Sequence, residues 1–329
     1  MNIFICQTPF QKFYALELIG FLKRSNLENN NEFLIIHSNL KFKETNDIIY
    51  VSYSSQKGII ANFWKLKGVF QLINSRLKIK NEFTRFFISH TGGLISNYLF
   101  NSKHSIRGDI ELNLFYEGIL YFYDYKEKYN INHVKRKFIA YLLGWKYIFN
   151  STILPYDSNK IKNIYSPAKQ FTKGDKNKIV EVPFSKKDIT SERTNSVIIL
   201  GGPVDYLNLF YKESIEEISR SQTTDIKIYY KGHASFNTHY SKYKDCFKDV
   251  ARIKNVNFEE LDQDVSIESV ISKINPTAIY SYYSSALLNI ALIYPNKYKI
   301  VCYLKKECSI EKTIVSIFRH LNINIRFIE

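Results

Sequence analysis

Short apolar runs that read as β-strands alternate with segments of helical periodicity along almost the whole chain, and this alternation constrains the fold more than any single motif. In the first half, strand-like runs stand at residues 3–6, 33–37, 47–51, 83–89 and 109–116. Between them, residues 11–23 carry Phe13, Leu16, Leu18, Ile19 and Leu22 as a helical stripe. Residues 59–77 place Phe63, Leu66, Val69, Phe70, Leu72 and Ile73 on one broad apolar face, and 94–100 are again helical. The second half repeats the pattern, with strands at 196–200, 226–230, 277–281, 298–303 and near 323–328. Helices are expected there at 206–219, 267–274, 285–293 and 310–320. Such alternation implies mainly parallel sheets covered by helices on both faces. A chain of 329 residues exceeds the usual single core, so two domains are expected. The charged, aperiodic segment 185–195 reads as their linker, dividing residues 1–190 from 191–329.

Hydrophobic residues at 45% exclude wholesale disorder. The net charge of +15 attracts an anionic partner, whether nucleotide, nucleic acid or membrane surface, or it reflects nothing more than the lysine usage of an AT-rich genome. The basic residues are scattered and no known nucleic-acid-binding pattern is present, so no nucleic-acid partner is expected. Cys6, Cys246, Cys302 and Cys308 lack metal-type spacing, and a reducing cytoplasm is the simplest compartment. The opening apolar run is too short for a signal peptide, and no apolar segment is long enough to span a membrane. Residues 133–145 form a basic amphipathic pattern in which Lys135, Arg136 and Lys137 precede Ile139, Leu142 and Leu143. That is either a solvated helix face or a membrane contact. Residues 156–178 are polar and read as loop.

Several loops fall where an open α/β sheet presents chemistry, at the carboxyl ends of strands. His233 closes Tyr229-Tyr230-Lys231-Gly232-His233; by itself it is either a hydrogen-bonded structural group or a titratable one. Gly201-Gly202-Pro203 follows a strand and permits close backbone approach to a ligand. Asp205, just beyond, is either a base or a carboxylate favoured by a helix N-terminus. Ser284 and Ser285 open an apolar helix, as an ordinary N-cap or as a phosphate seat. Glu117-Gly118 offers a further carboxylate at a strand end, or simply a turn. No GxGxxG, Walker or HExxH pattern occurs and no DxD-type metal site is read, so no metal is expected.

Taken together and in order, five blocks resemble the bacterial sialyltransferases of glycosyltransferase family 52, the lipooligosaccharide sialyltransferase family. The opening Asn2-Ile3-Phe4-Ile5-Cys6-Gln7-Thr8-Pro9-Phe10-Gln11 is similar to the family's first strand with its Cys-x-Thr-x-x-Gln ending. Leu114-Phe115-Tyr116-Glu117-Gly118 stands where the family has Phe-Asp-Asp-Gly, and Ile198-Ile199-Leu200-Gly201-Gly202-Pro203 resembles its Leu-Gly-x-Pro loop. Tyr229-Tyr230-Lys231-Gly232-His233 takes the place of the His-Pro block, and Ile279-Tyr280-Ser281-Tyr282-Tyr283-Ser284-Ser285-Ala286-Leu287 that of the Ser/Thr-rich phosphate loop.

The resemblance implies a GT-B type fold, with two Rossmann-like domains whose sheets face across a cleft. It implies an acceptor side in residues 1–190 and a nucleotide-sugar side in 191–329. The activity implied is inverting, metal-independent transfer of sialic acid from CMP-sialic acid, with no cofactor. The acceptor implied is a terminal sugar, expected to be galactose, on a lipooligosaccharide or capsule. His233 matches the acid toward the cytidine phosphate, and Asp205 or Glu117 the base. Gly201, Gly202, Lys231, Gly232, Ser281, Ser284 and Ser285 fall on the donor side, and Thr8, Gln11 and Gly118 on the acceptor side. A cytoplasmic protein with peripheral contact on the inner membrane face, and a homodimer, are further options the resemblance leaves open. Three departures stand out: Tyr116 replaces the first acid, Ala234 the proline after histidine, and Val204 displaces the aspartate to Asp205. They admit a different sugar acid or acceptor, and the nearer alternative is a glycosyltransferase of the same family with another nucleotide-sugar donor such as a hexose nucleotide. The more distant alternative is a nucleic-acid-binding protein without enzymatic activity.

Overall fold

The strand-like runs become two separate parallel sheets in the computed structural model. It describes residues 1–25, 32–38, 40, 47–53, 59–77, 84–102, 110–185, 189, 192–201, 207–221, 226–232, 257–262, 264–305 and 312–328. The chain divides into two compact units, Met1–Pro183 and Phe184–Glu329. Each unit is an α/β domain with its own sheet and core.

The first sheet comprises β1 (Asn2–Cys6), β2 (Phe33–His37), β3 (Ile48–Ser52), β4 (Arg85–Ile88), β5 (Glu111–Phe115), β6 (Ile161–Ser166) and β7 (Ile179–Glu181). Its order is β3-β2-β1-β4-β5-β6-β7, and every pairing is parallel. β1 and β2 are buried along their whole length, which is why they read as unbroken apolar runs. Phe4 stacks on Phe87 of the neighbouring strand at 4.3 Å between ring centroids, worth about 1 kcal/mol beyond simple burial. The helices are α1 (Pro9–Arg24), α2 (Ile59–Leu77), α3 (Leu94–Asn101) and α4 (Ile131–Leu142).

Two expectations need correcting here. The stretch expected as loop, 156–178, contains β6, because Ile161, Ile164 and Tyr165 supply the buried positions among Lys160, Lys162 and Asn163. A register shift against β5 between Leu112 and Leu114 disturbs the two-residue period that would have revealed it. α4 begins two residues before the expected 133, because Asn130 caps it and His133 Nδ1 accepts the Asn130 N–H at 3.0 Å. It stops at Leu142, ahead of Gly144 with φ of 82°.

The second sheet comprises β8 (Ser196–Leu200), β9 (Lys227–Lys231), β10 (Asn257–Glu260), β11 (Ala278–Tyr282), β12 (Lys299–Lys305) and β13 (Asn324–Ile328). It is parallel throughout, in the order β10-β9-β8-β11-β12-β13. Its helices are α5 (Leu207–Ser221), α6 (Ile267–Ile274), α7 (Ser285–Ile293) and α8 (Lys312–His320). β10 was not expected from the sequence; with Glu259 and Glu260 in its four residues, it is a charged edge strand. The core gathers Val197, Ile199, Phe210, Tyr211, Ile228, Tyr230, Tyr280, Val301 and Tyr303.

One charged group is built into this core. Glu217 on α5 accepts hydrogen bonds from Tyr303 Oη at 2.5 Å and Lys299 Nζ at 3.0 Å, with Arg326 Nη1 at 2.5 Å. Burial pushes the carboxyl upward, but the Tyr303 and Lys299 hydrogen bonds and the Arg326 charge outweigh it and hold the group below its ordinary value of 4.5. A depressed carboxylate adds stability above its unfolded value and loses it as pH falls through the folded one. Glu217→Gln is therefore expected to cost about 1–2 kcal/mol at neutral pH, Lys299 and Arg326 being half-exposed and screened. The difference from wild type should shrink below pH 4.5, which urea unfolding across that range measures. An undiminished difference at low pH would contradict this account of Glu217.

Candidate functional site

Each sheet reverses its winding once. In the first unit the chain leaves β1 for β2 and β3, then returns to β4 on the other side, so the switch point lies between β1 and β4. In the second unit the same reversal lies between β8 and β11. Open α/β sheets bind ligands outside the carboxyl ends of the strands at such points.

At the carboxyl edge of the first sheet, Thr8 caps α1 by accepting the Gln11 N–H at 3.1 Å, and Pro9 takes the first helical position. This cap sets Gln11, which is buried, facing back across the sheet end. Its Oε1 accepts the Gln7 N–H at 2.6 Å, and its Nε2 donates to Glu117 Oε2 at 2.8 Å. Gly118 follows with φ of 118° and ψ of −152°, a conformation open to glycine and strained for any side chain. The turn after β5 therefore depends on Gly118, and Glu117 is held at its start.

The loop after β4 completes the cluster. His90 Nδ1 accepts the Gly92 N–H at 2.9 Å, which leaves Nε2 to carry the proton of the neutral ring, 3.7 Å from Glu117 Oε2. A Cβ on Gly93 would come within 2.2 Å of Gln7 Nε2, and one on Gly92 within 3.1 Å of His90 Nδ1 and 3.5 Å of Glu127 Oε2. These two glycines let the β1 and β4 loops meet. Glu127 Oε2 in turn lies 3.3 Å from Nε2 of the fully buried His133. The cluster His90, Glu117 and Gln11 is only partly legible in the sequence: His90 follows a strand end, the same signal that marks His233, whereas the pairing of Gln11 with Glu117 is a product of the fold.

Tyr116, standing where the family has its first acid, is fully buried. Its ring sits edge-on to Phe10 at 5.7 Å, Tyr14 at 5.4 Å and Tyr121 at 5.6 Å. A carboxylate there would lie in an aromatic box, so this position belongs to the core and Glu117 is the acid at the edge.

At the carboxyl edge of the second sheet, Gly201 follows β8 and donates its N–H to Lys231 O at 2.9 Å. A Cβ on it would stand 2.7 Å from Tyr230 Oη and 3.2 Å from Tyr211 Oη, themselves hydrogen-bonded at 2.7 Å. Across the switch point, Ser284 caps α7 by accepting the Ala286 N–H at 3.2 Å, and Ser285 is its first residue. The N–H groups at a helix start favour an anion. Ser281 lies inside β11, fully buried, with its hydroxyl on Leu200 O at 3.2 Å. Lys231 closes β9 with Nζ on Asp262 O at 3.0 Å; burial lowers its ammonium, offset in part by Glu268, Asp262 and Asp264. Gly232 is buried beside it. Asp205, His233 and Gly202 lie outside the described residues. Among the described residues, no group of three His, Cys, Asp or Glu side chains is placed to hold a metal ion.

Comparison with solved structures places this arrangement in a fold class. The GT-B domain of a sialyltransferase from Photobacterium damselae superposes with a TM-score of 0.53 at 11% identity, covering 99% of this chain and 100% of that one. UDP-GlcNAc 2-epimerase from Methanocaldococcus jannaschii, in complex with UDP-GlcNAc and UDP, gives 0.53 at 13% identity, covering 100% of this chain and 89% of that one. Both coverages run through the two units, and the chain has the GT-B fold of paired Rossmann-like domains. No family model and no curated protein sequence matches the chain.

Proposed function

We propose that the chain is an inverting, metal-independent glycosyltransferase that moves sialic acid from CMP-sialic acid to a terminal sugar of a surface glycolipid or capsule. The observation that most supports a nucleotide-sugar enzyme is the placement of Gly201 and the Ser284–Ser285 helix start on the two sides of the switch point of the second sheet. The donor identity is carried over from the five sequence blocks that resemble the lipooligosaccharide sialyltransferases.

In this reading the helix start at Ser285 and a protonated His233 neutralise the phosphate of departing CMP. A sialyl donor carries its own carboxylate beside the reacting carbon, so the phosphate is the main charge to stabilise. Glu117 takes the proton of the acceptor hydroxyl as that oxygen attacks the anomeric carbon and the bond to phosphate breaks. A single displacement inverts the carbon. Gln11 aims the Glu117 carboxylate through its 2.8 Å hydrogen bond to Oε2, and His90 Nε2 stands 3.7 Å from the same oxygen. Asp205 is the rival base.

A second reading keeps the fold and changes the donor. The epimerase bound to UDP-GlcNAc and UDP superposes with the same TM-score as the sialyltransferase domain, and that favours testing uridine nucleotides. Nucleotide release is to be followed with CMP-sialic acid, UDP-GlcNAc and UDP-galactose, with and without a galactose-terminated acceptor. The expected result is acceptor-dependent CMP release from CMP-sialic acid alone. UDP release in its place would overturn the sialyl assignment and leave the second reading standing.

A further inference from the structure

The helix α4 is amphipathic in an unusual sense: its apolar side is turned to solvent. With about 100° between successive residues, Ile131, Val134, Phe138, Tyr141 and Leu142 fall in one stripe roughly a quarter of the circumference wide. His133 and Ala140, on the opposite side, are the buried residues that dock the helix onto its domain. The stripe is strongly exposed, at 65% for Ile131, 63% for Phe138, 78% for Tyr141 and 52% for Leu142. Tyr129 and Ile148, before and after the helix in sequence, are exposed as well. A helix that needed only to pack on its own domain would carry these residues on the other side. The apolar face expected from the sequence, Ile139, Leu142 and Leu143, therefore divides: Leu142 belongs to the stripe, while Ile139 and Leu143 are half-buried beside the docking face.

Cations rim the stripe. By the same periodicity Lys135 and Lys137 fall on its two flanks, and Lys137 Nζ lies 4.9 Å from the Tyr129 ring centroid. Lys128 and Lys146 stand beyond its ends, both exposed. Residues 128–150 contain no aspartate or glutamate. Long basic side chains flanking an apolar stripe can reach outward to anionic groups while the stripe enters an apolar layer.

We infer that the outer face of α4 lies on an anionic lipid surface, with Phe138, Tyr141 and Leu142 among the acyl chains and Lys135 and Lys137 at the headgroups. The partner follows from charge. A second copy seated symmetrically on this face would set lysine against lysine with no carboxylate from 128–150 to answer it. None of the described helices is long and apolar enough to cross a membrane, so α4 lies in the interface and does not span it. On the buried side of α4, His133 Nε2 lies 3.3 Å from Glu127 Oε2, and that carboxylate is close to Gly92 at the carboxyl edge of the first sheet. Docking would bring lipid-anchored molecules to the edge that carries Glu117. The inference goes beyond the donor assignment and does not rest on it.

Flotation with vesicles of phosphatidylcholine alone, and of phosphatidylcholine with phosphatidylglycerol in roughly equal parts, tests it on the full chain. Wild type is expected to float with the anionic vesicles and not with the neutral ones, less so as salt rises. Phe138→Ser with Tyr141→Ser should lose at least about tenfold in partition, and Lys135→Gln or Lys137→Gln about fivefold each. These side chains are exposed, so thermal unfolding should match wild type. Phe138→Trp gives a readout that needs no loss of binding: its emission should shift to the blue with anionic vesicles. Equal partition of wild type and the double serine variant would overturn the inference. So would a dimer that the double variant dissolves, combined with no vesicle binding.

Discussion

Glu117→Gln is expected to lower kcat for acceptor-dependent transfer by about 10²–10⁴-fold, the usual contribution of a general base. The donor KM should move little, because the substitution keeps the side chain's size. Glutamine can still accept from Gln11 Nε2 at the present 2.8 Å, so the loop is held and only proton acceptance is lost. Asp205→Asn, measured in parallel, separates the rival bases. If Glu117 is the base, Asp205→Asn keeps kcat within about tenfold and any loss falls on KM. The reverse pattern, with Glu117→Gln near wild type and Asp205→Asn disabled, would reassign the proton to Asp205. Gly118 explains why rescue by insertion or shift is not expected, since its φ of 118° fixes where residue 117 stands.

The frame of the molecule was legible wherever a strand is buried on both faces. Residues 3–6, 33–37 and 196–200 read as apolar runs because neighbours cover them on every side, and each lies within a strand of the structure. β6 and β10 escaped because polar residues share their length: Lys162 and Asn163 in one, Glu259 and Glu260 in the other. As an edge strand β10 must carry such residues, and carrying them removes the pattern that would identify it. The site was legible as positions and not as contacts. Strand-end loops follow from alternation, which is how Gly201, Ser284 and Glu117 could be singled out. That Gln11 bonds Glu117 across 106 residues, or that Tyr116 faces an aromatic box, depends on the winding of the sheet. α4 shows the same limit from another side, since periodicity defines an apolar stripe and only the docked fold shows which side of the helix is left outside.

His233→Ala is expected to lower kcat by about 10²–10³-fold, the usual size of one lost acid or oxyanion contact. The reason lies in what leaves. CMP departs with phosphate charge that has no metal to receive it in the proposed reaction, so a proton or a fixed dipole must. An acid acts in its protonated form, so kcat/KM should fall as pH rises past the histidine pKa, ordinarily near 6.5. That alkaline fall should vanish in His233→Ala. Ser284→Ala acts differently. It removes the cap accepting Ala286 N–H, a loss of about 1 kcal/mol for the helix. Its effect on catalysis should appear as weaker binding of CMP, with the alkaline fall kept. The two variants thus divide the phosphate interaction into a proton that acts at the transition state and a seat that acts on binding. Retention of the wild-type pH profile in His233→Ala, at equal thermal stability, would remove His233 as the acid and leave the helix start at Ser285 to aid the departing phosphate.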